Sequence, residues 1–112
     1  MSALIHLENT ADFASLIKEG VVLVDFYADW CGPCQALGPV MESLADSYEG
    51  KAKIVKLNVD HHSPIAQQFR VMSIPTVIIF QDGNMIDRPI VGAYPEDFYA
   101  NVLDTLVEGT KE

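Results

Sequence analysis

Val21-Val22-Leu23-Val24-Asp25-Phe26-Tyr27-Ala28 is a nearly continuous apolar run. A strand that faces water on one side alternates apolar with polar residues. A run without alternation suits a strand covered on both faces, which calls for helices above and below a sheet. This segment is expected at the centre of an α/β domain. Its charged member, Asp25, is costly to bury without a partner, so something in the fold must offset that cost.

The flanking segments supply neighbours and cover. Leu4 to Leu7 reads as a short first strand. Asn9 and Thr10 are placed to cap a helix with Phe13, Leu16 and Ile17 on one face, ended by Gly20. Leu37, Val40, Met41, Leu44 and Tyr48 keep helical spacing up to Gly50, and Pro39 inside that pattern predicts a kink. Lys53 to Asp60 alternates like a strand, and Ser63-Pro64 reads as the N-cap and first position of a helix carrying Ile65, Ala66 and Phe69. Thr76 to Phe80 and Met85 to Val91 are strand-like and joined by Gln81-Asp82-Gly83-Asn84, a hairpin signal. Pro89 puts the second of these strands at an edge. Pro95 opens a last helix with Phe98, Tyr99, Val102, Leu103 and Leu106 on its buried face, closing near Gly109. The expected architecture is α/β, a mixed sheet of about five strands with helices on both faces, in one domain over residues 1–112.

Charge narrows the function classes. Asp and Glu outnumber Lys and Arg by 16 to 7, a formal net charge of -9. A surface of that sign repels phosphate backbones and anionic lipid, so neither nucleic acid nor a membrane is expected as a partner. The first twenty residues lack a basic region followed by an apolar run, and no later stretch is long and apolar enough to span a bilayer. A soluble cytoplasmic protein is expected, in a compartment where stable structural disulfides are rare.

That placement bears on Asp29-Trp30-Cys31-Gly32-Pro33-Cys34, which holds both cysteines of the chain. A close pair of thiols can be a structural disulfide, half of a metal site, or a reversible dithiol. A structural zinc site would need His6, His61 or His62 to complete it, at a spacing unlike a zinc finger's. A chain of 112 residues can fold without either staple. The dithiol reading fits best. Where a buried strand runs into a helix, unpaired backbone N–H groups and the helix dipole favour a thiolate, which makes Cys31 the expected nucleophile. Cys34, one turn further in and more shielded, is placed to resolve a mixed disulfide formed on Cys31. Pro33 stiffens the link, and Gly32 lets a substrate backbone approach closely. Asp25, with its pKa raised by burial, is the expected acceptor for the Cys34 proton, and Lys56 in the neighbouring strand-like segment is a candidate partner for it. His61 and His62 read as solvated loop residues ahead of a helix.

These residues resemble the thioredoxin family over essentially the whole chain. The matches are Asp25 in VDFYADW, Trp30 to Cys34, Pro39, Lys56 in KLNVD, Ile74-Pro75-Thr76, the Asp82-Gly83 turn and Val91-Gly92-Ala93. Thioredoxins are a standard example of a cysteine pKa lowered in this way, and the resemblance implies the same for Cys31. The resemblance implies a thioredoxin fold, a five-stranded mixed sheet flanked by four helices. It implies a cis Pro75 facing the dithiol and an Ile74 backbone that pairs with an extended substrate. It also implies a flat docking surface of Trp30, Ile74, Pro75, Gly92 and Ala93. Electrons would come from NADPH through a flavoprotein thioredoxin reductase, so this chain would act as a monomer with no cofactor or metal of its own.

Some positions depart from the family's usual pattern. Gln35 stands where many relatives have a basic residue, Tyr27 replaces a frequent tryptophan, and Met72-Ser73 replaces a charge and a glycine. These positions bear on potential and partner preference. The expected activity is general reduction of protein disulfides. A disulfide oxidase or isomerase is disfavoured by Gly32-Pro33 between the cysteines and by the lack of a secretion signal. A redox-independent binding subunit is the alternative from another class.

Overall fold

The apolar run becomes the middle of a five-stranded sheet in the computed structural model, which describes residues 2–109. The strands are β1 (Ile5–His6), β2 (Val21–Tyr27), β3 (Ala52–Asn58), β4 (Thr76–Gln81) and β5 (Asn84–Val91), in the spatial order β1-β3-β2-β4-β5. β3 runs parallel to β2 and to β1, while β4 is antiparallel to β2 and β5. The sheet is mixed, as expected, and β2 is its central strand. Pro89 lies on the edge strand β5, where its missing N–H interrupts no inner ladder. The turn between β4 and β5 is Asp82-Gly83, both with positive φ (51° and 87°), the requirement of the tight turn that suits right-twisted hairpins.

Four α-helices cover the two faces: α1 (Phe13–Ile17), α2 (Gly32–Ser47), α3 (Ser63–Gln68) and α4 (Glu96–Gly109). Strand periodicity sorts β2 between them. Val21 and Leu23 join Leu37, Met41, Leu44, Ile54, Tyr99 and Leu103 under α2 and α4. Val22, Val24 and Phe26 join Leu7, Phe13, Leu57, Ile65 and Phe80 under α1 and α3. Fully buried aromatic side chains of this kind cost about 3–5 kcal/mol when cut back to alanine, so Phe26 alone contributes a sizeable fraction of the stability of a small domain. Asp25 has the parity of Leu23 and so faces α2 and α4.

Several local expectations are corrected. The first helix is shorter than its pattern implied: residues 10–12 form a 3-10 turn, and neither Asn9 nor Asp12 caps through its side chain. The Thr10 hydroxyl instead pairs with His62 Nδ1 at 2.7 Å. His62, read from the sequence as a solvated loop residue, is 4% exposed. It is the N-cap residue of α3, one position before the expected Ser63, and its Nε2 donates to the Leu7 carbonyl at 2.9 Å. It thereby ties the end of β3 to the chain just after β1. Phe98, assigned to the buried face of α4, is 41% exposed and stacks on Tyr94 with ring centroids 4.6 Å apart. Tyr99, Leu103 and Val107 carry the burial of that helix instead. Pro39 lies within a continuous α2 and leaves the Gln35 carbonyl without its usual i+4 donor.

Candidate active site

β2 ends at Tyr27, and four residues later Cys31 stands as the N-cap of α2 with extended backbone (φ -91°, ψ 112°). Two backbone bonds fix this junction: Cys31 N–H donates to Ala28 O at 3.2 Å, and Gln35 N–H donates to Cys31 O at 3.1 Å. Pro33 falls in the first turn of α2, where a missing N–H leaves nothing unsatisfied. Cys31 and Cys34 are joined as a disulfide, with Cα atoms 5.2 Å apart. Cys31 Sγ accepts the Cys34 N–H at 3.2 Å, one of the free donors of the helix start. A thiolate at that sulfur has the same donor and the positive end of α2 beside it. Both cysteines are largely buried, Cys34 the more so.

The two sides of the disulfide differ. On one side Cys31 Sγ lies 3.8 Å from the carbonyl oxygen of Ile74, the residue that precedes a cis peptide bond to Pro75. The Pro75 carbonyl accepts the Gly92 N–H at 2.8 Å, so the β4 entry loop and the end of β5 are pinned together, with Ala93 exposed beside them. A groove of about 380 Å³ runs alongside, lined by Trp30, Val59, Val71, Met72, Ser73 and Ile74. Trp30 is 71% exposed yet held in place, its indole Nε1 donating to Asp60 Oδ2 at 2.9 Å. Met72 is 94% exposed. Gly32 and Pro33 are exposed at the tip of the helix.

On the other side Cys34 opens onto a smaller cleft of about 230 Å³, lined by Tyr27, Ala28, Asp29, Gln35 and Lys56. Gln35, the position of the family's usual basic residue, donates through Nε2 to the Asp29 carbonyl at 3.0 Å. Asp25 sits behind this cleft with no exposure, and neither carboxyl oxygen has a hydrogen-bond partner. Burial pushes its pKa from 3.8 up to about 7, and the Lys56 ammonium pulls the other way. Lys56 is the register partner of Asp25 across the parallel pair β2 and β3. It does not pair directly with the carboxyl; its Nζ lies 4.0 Å from the centre of the Tyr27 ring.

The fold therefore brings Cys31, Cys34, Trp30 and Ile74 to one edge and sets Asp25 and Lys56 behind it. Sequence reasoning missed Asp60, whose carboxylate holds Trp30. The signal was present in KLNVD, since an acid just after a strand that neighbours β2 can reach the turn that follows β2, where Trp30 lies. Among the described residues no group of three or more His, Cys, Asp or Glu is arranged to hold a metal ion.

A reversible disulfide between a helix N-cap and its first turn, at the carboxyl end of the central strand, defines a thiol-disulfide oxidoreductase. The thioredoxin family model matches residues 4–105, and the chain belongs to the thioredoxin family. It is 53% identical over 94 residues to a thioredoxin of Staphylococcus aureus, covering 84% of this chain and 89% of that one. Among solved structures, it superposes on a single-site mutant thioredoxin from Halobacterium salinarum with a TM-score of 0.84 at 33% identity, covering 93% and 90% of the two chains. A Malassezia sympodialis thioredoxin gives a TM-score of 0.82 at 33% identity, over 96% and 93%.

Proposed function

We propose that this chain reduces disulfides of many protein substrates in the cytoplasm, acting as one monomeric domain that draws electrons from NADPH through a flavoprotein thioredoxin reductase. The Cys31 thiolate attacks one sulfur of the substrate disulfide, forming a mixed disulfide and releasing a substrate thiolate. Cys34 then gives its proton to the Asp25 carboxylate and attacks Cys31 Sγ. The second substrate thiolate leaves, and the Cys31–Cys34 disulfide remains. Two electrons pass from the chain to the substrate, and the reductase returns them. The dithiol carries these electrons itself, so the chain uses no cofactor of its own.

The observation that carries the reading is the position of Cys31. It caps α2, accepts a backbone N–H at its sulfur, and lies against the Ile74 carbonyl, next to an apolar groove that Ile74 lines and where an extended substrate can align. Trp30, Gly32, Pro33, Ile74, Pro75, Gly92 and Ala93 form the docking surface in this reading. Asp25 serves Cys34 because its register partner Lys56 shares the cleft onto which Cys34 opens, and a carboxyl with a pKa of about 7 can take and return a proton near neutral pH. The test is insulin disulfide reduction driven by NADPH and a thioredoxin reductase. Turnover is expected. A folded, fully reducible protein that leaves insulin intact overturns the reading.

A further inference from the structure

Both arginines of the chain, Arg70 and Arg88, line one open groove of about 290 Å³ next to the Trp30 groove, the two sharing Val71, Met72 and Ser73 as a common wall. Its floor is apolar, from Phe69, Pro89 and Val91, and no acidic side chain lines it. Neither guanidinium has an ion-pair partner among the described residues, in a chain with 16 acidic residues to pair with. The described lysines lie elsewhere: Lys18 ends α1, Lys51 and Lys53 line a separate groove at the far end of β3, and Lys56 faces the Cys34 cleft.

The backbone presents both arginines from unusual positions. Arg70 N–H donates to Gln67 O and Val71 N–H to Ala66 O, the paired bonds of a helix end that usually places glycine where Arg70 stands. Arg70 has φ 55° there, a left-handed conformation that strains a side-chain-bearing residue. Arg88 rides on a bulge. Val77 pairs with Ile90 and Ile79 with Ile86, so residues 87–89 stand opposite Ile78 alone, and Asp87 also has positive φ at 58°. Helix-end geometry would be satisfied better by glycine at 70, so backbone conformation does not account for the cation.

We infer that this groove binds an acidic segment of the substrate protein close to its target disulfide, Arg70 and Arg88 each taking a carboxylate while an apolar side chain fills the floor. The inference rests on the function proposed above and adds a substrate preference to it. The chain's overall charge repels acidic partners at long range. At physiological salt that field is screened within about 8 Å, and the two arginines then decide how an acidic segment seats.

Two measurements test it. The first needs no redox chemistry. A peptide carrying two Glu and a Leu, with Ser for each Cys, is titrated into the protein and followed by NMR. Shifts are expected at Arg70, Val71 and Arg88, lost in R70Q/R88Q and kept in K51Q/K53Q, which changes net charge equally. No shifts at these residues, or shifts that persist in R70Q/R88Q, overturn the inference. The second compares kcat/KM for two disulfide peptides that differ only in Glu or Gln beside the target cysteine. The Glu preference is expected to fall about tenfold in R70Q/R88Q at physiological salt, the sum of two surface charge pairs. An equal fall for both peptides overturns it. R70G separates binding from folding: it relieves the left-handed strain and raises Tm, while still lowering the Glu preference. If neither peptide is reduced while the NMR shifts depend on the arginines, the proposed function fails and the binding inference stands.

Discussion

The groove beside Cys31 and the cleft beside Cys34 lie on either side of one disulfide, and the proposed function gives them different tasks. The first is larger, apolar and rimmed by exposed Trp30 and Met72. The second is smaller, lined by Lys56, Asp29 and Gln35, with the Asp25 carboxyl sealed behind it. Approach of a macromolecule needs open surface, whereas tuning a proton acceptor to about 7 needs exclusion of water. A single face cannot do both, and the strand-to-helix turn lets each sulfur look a different way.

The largest effect that tests this division is on the cysteines themselves. Cys34→Ser is expected to abolish turnover and trap covalent complexes through Cys31, seen as substrate-linked bands on non-reducing gels; trapping by Cys31→Ser instead would exchange the two roles. Asp25→Asn comes next and has two readouts. The folded carboxyl holds its proton up to about 7, against an ordinary value of 3.8, so its contribution to stability is complete below about pH 4 and is lost as pH rises through 7. Removing the charge should therefore stabilise the protein at pH 8 by about 2–4 kcal/mol, measured by urea unfolding, with little change at pH 4. The same variant should resolve mixed disulfides about 10- to 100-fold more slowly and lose the inflection near pH 7 in rapid-mixing kinetics.

Effects on the apolar side are smaller. Trp30→Ala is expected to lower kcat/KM for insulin about tenfold through KM, since the exposed ring becomes buried only once a partner docks. Unchanged KM would remove Trp30 from the docking surface. Asp60→Ala should cost about 1 kcal/mol or less in kcat/KM, one hydrogen bond's worth, by freeing the indole, and should broaden its NMR Nε1–H resonance while leaving the pH profile of resolution untouched.

Local pattern made much of this legible. The unbroken apolarity of Val21 to Ala28, the Asp82-Gly83 turn and the helix-start position of Cys31 each rest on residues adjacent in sequence. The misreadings come from contacts between distant segments. His62 looks solvated beside His61 and Ser63, and what buries it is Leu7 and Thr10, more than fifty positions earlier. Phe98 keeps helical spacing with Val102 and Leu106, but it stacks on Tyr94 outside the core. Asp25 and Lys56 were legible as neighbours by strand pairing. That Lys56 prefers the Tyr27 ring over the carboxyl depends on side-chain reach, which spacing does not encode.

The strand order has a consequence during synthesis. β2 leaves the ribosome second, yet its neighbours β3 and β4 are made after it. Both thiols, which follow β2 in the chain, are therefore translated while that strand has bare edges on either side. Trp30 is made just before them, but Ile74 and the groove wall of Val71, Met72 and Ser73 arrive about forty residues later. A nascent chain stalled in that interval carries the thiol pair with only part of the surface that aligns a substrate in the proposed function, and the chain from Val71 onward completes it.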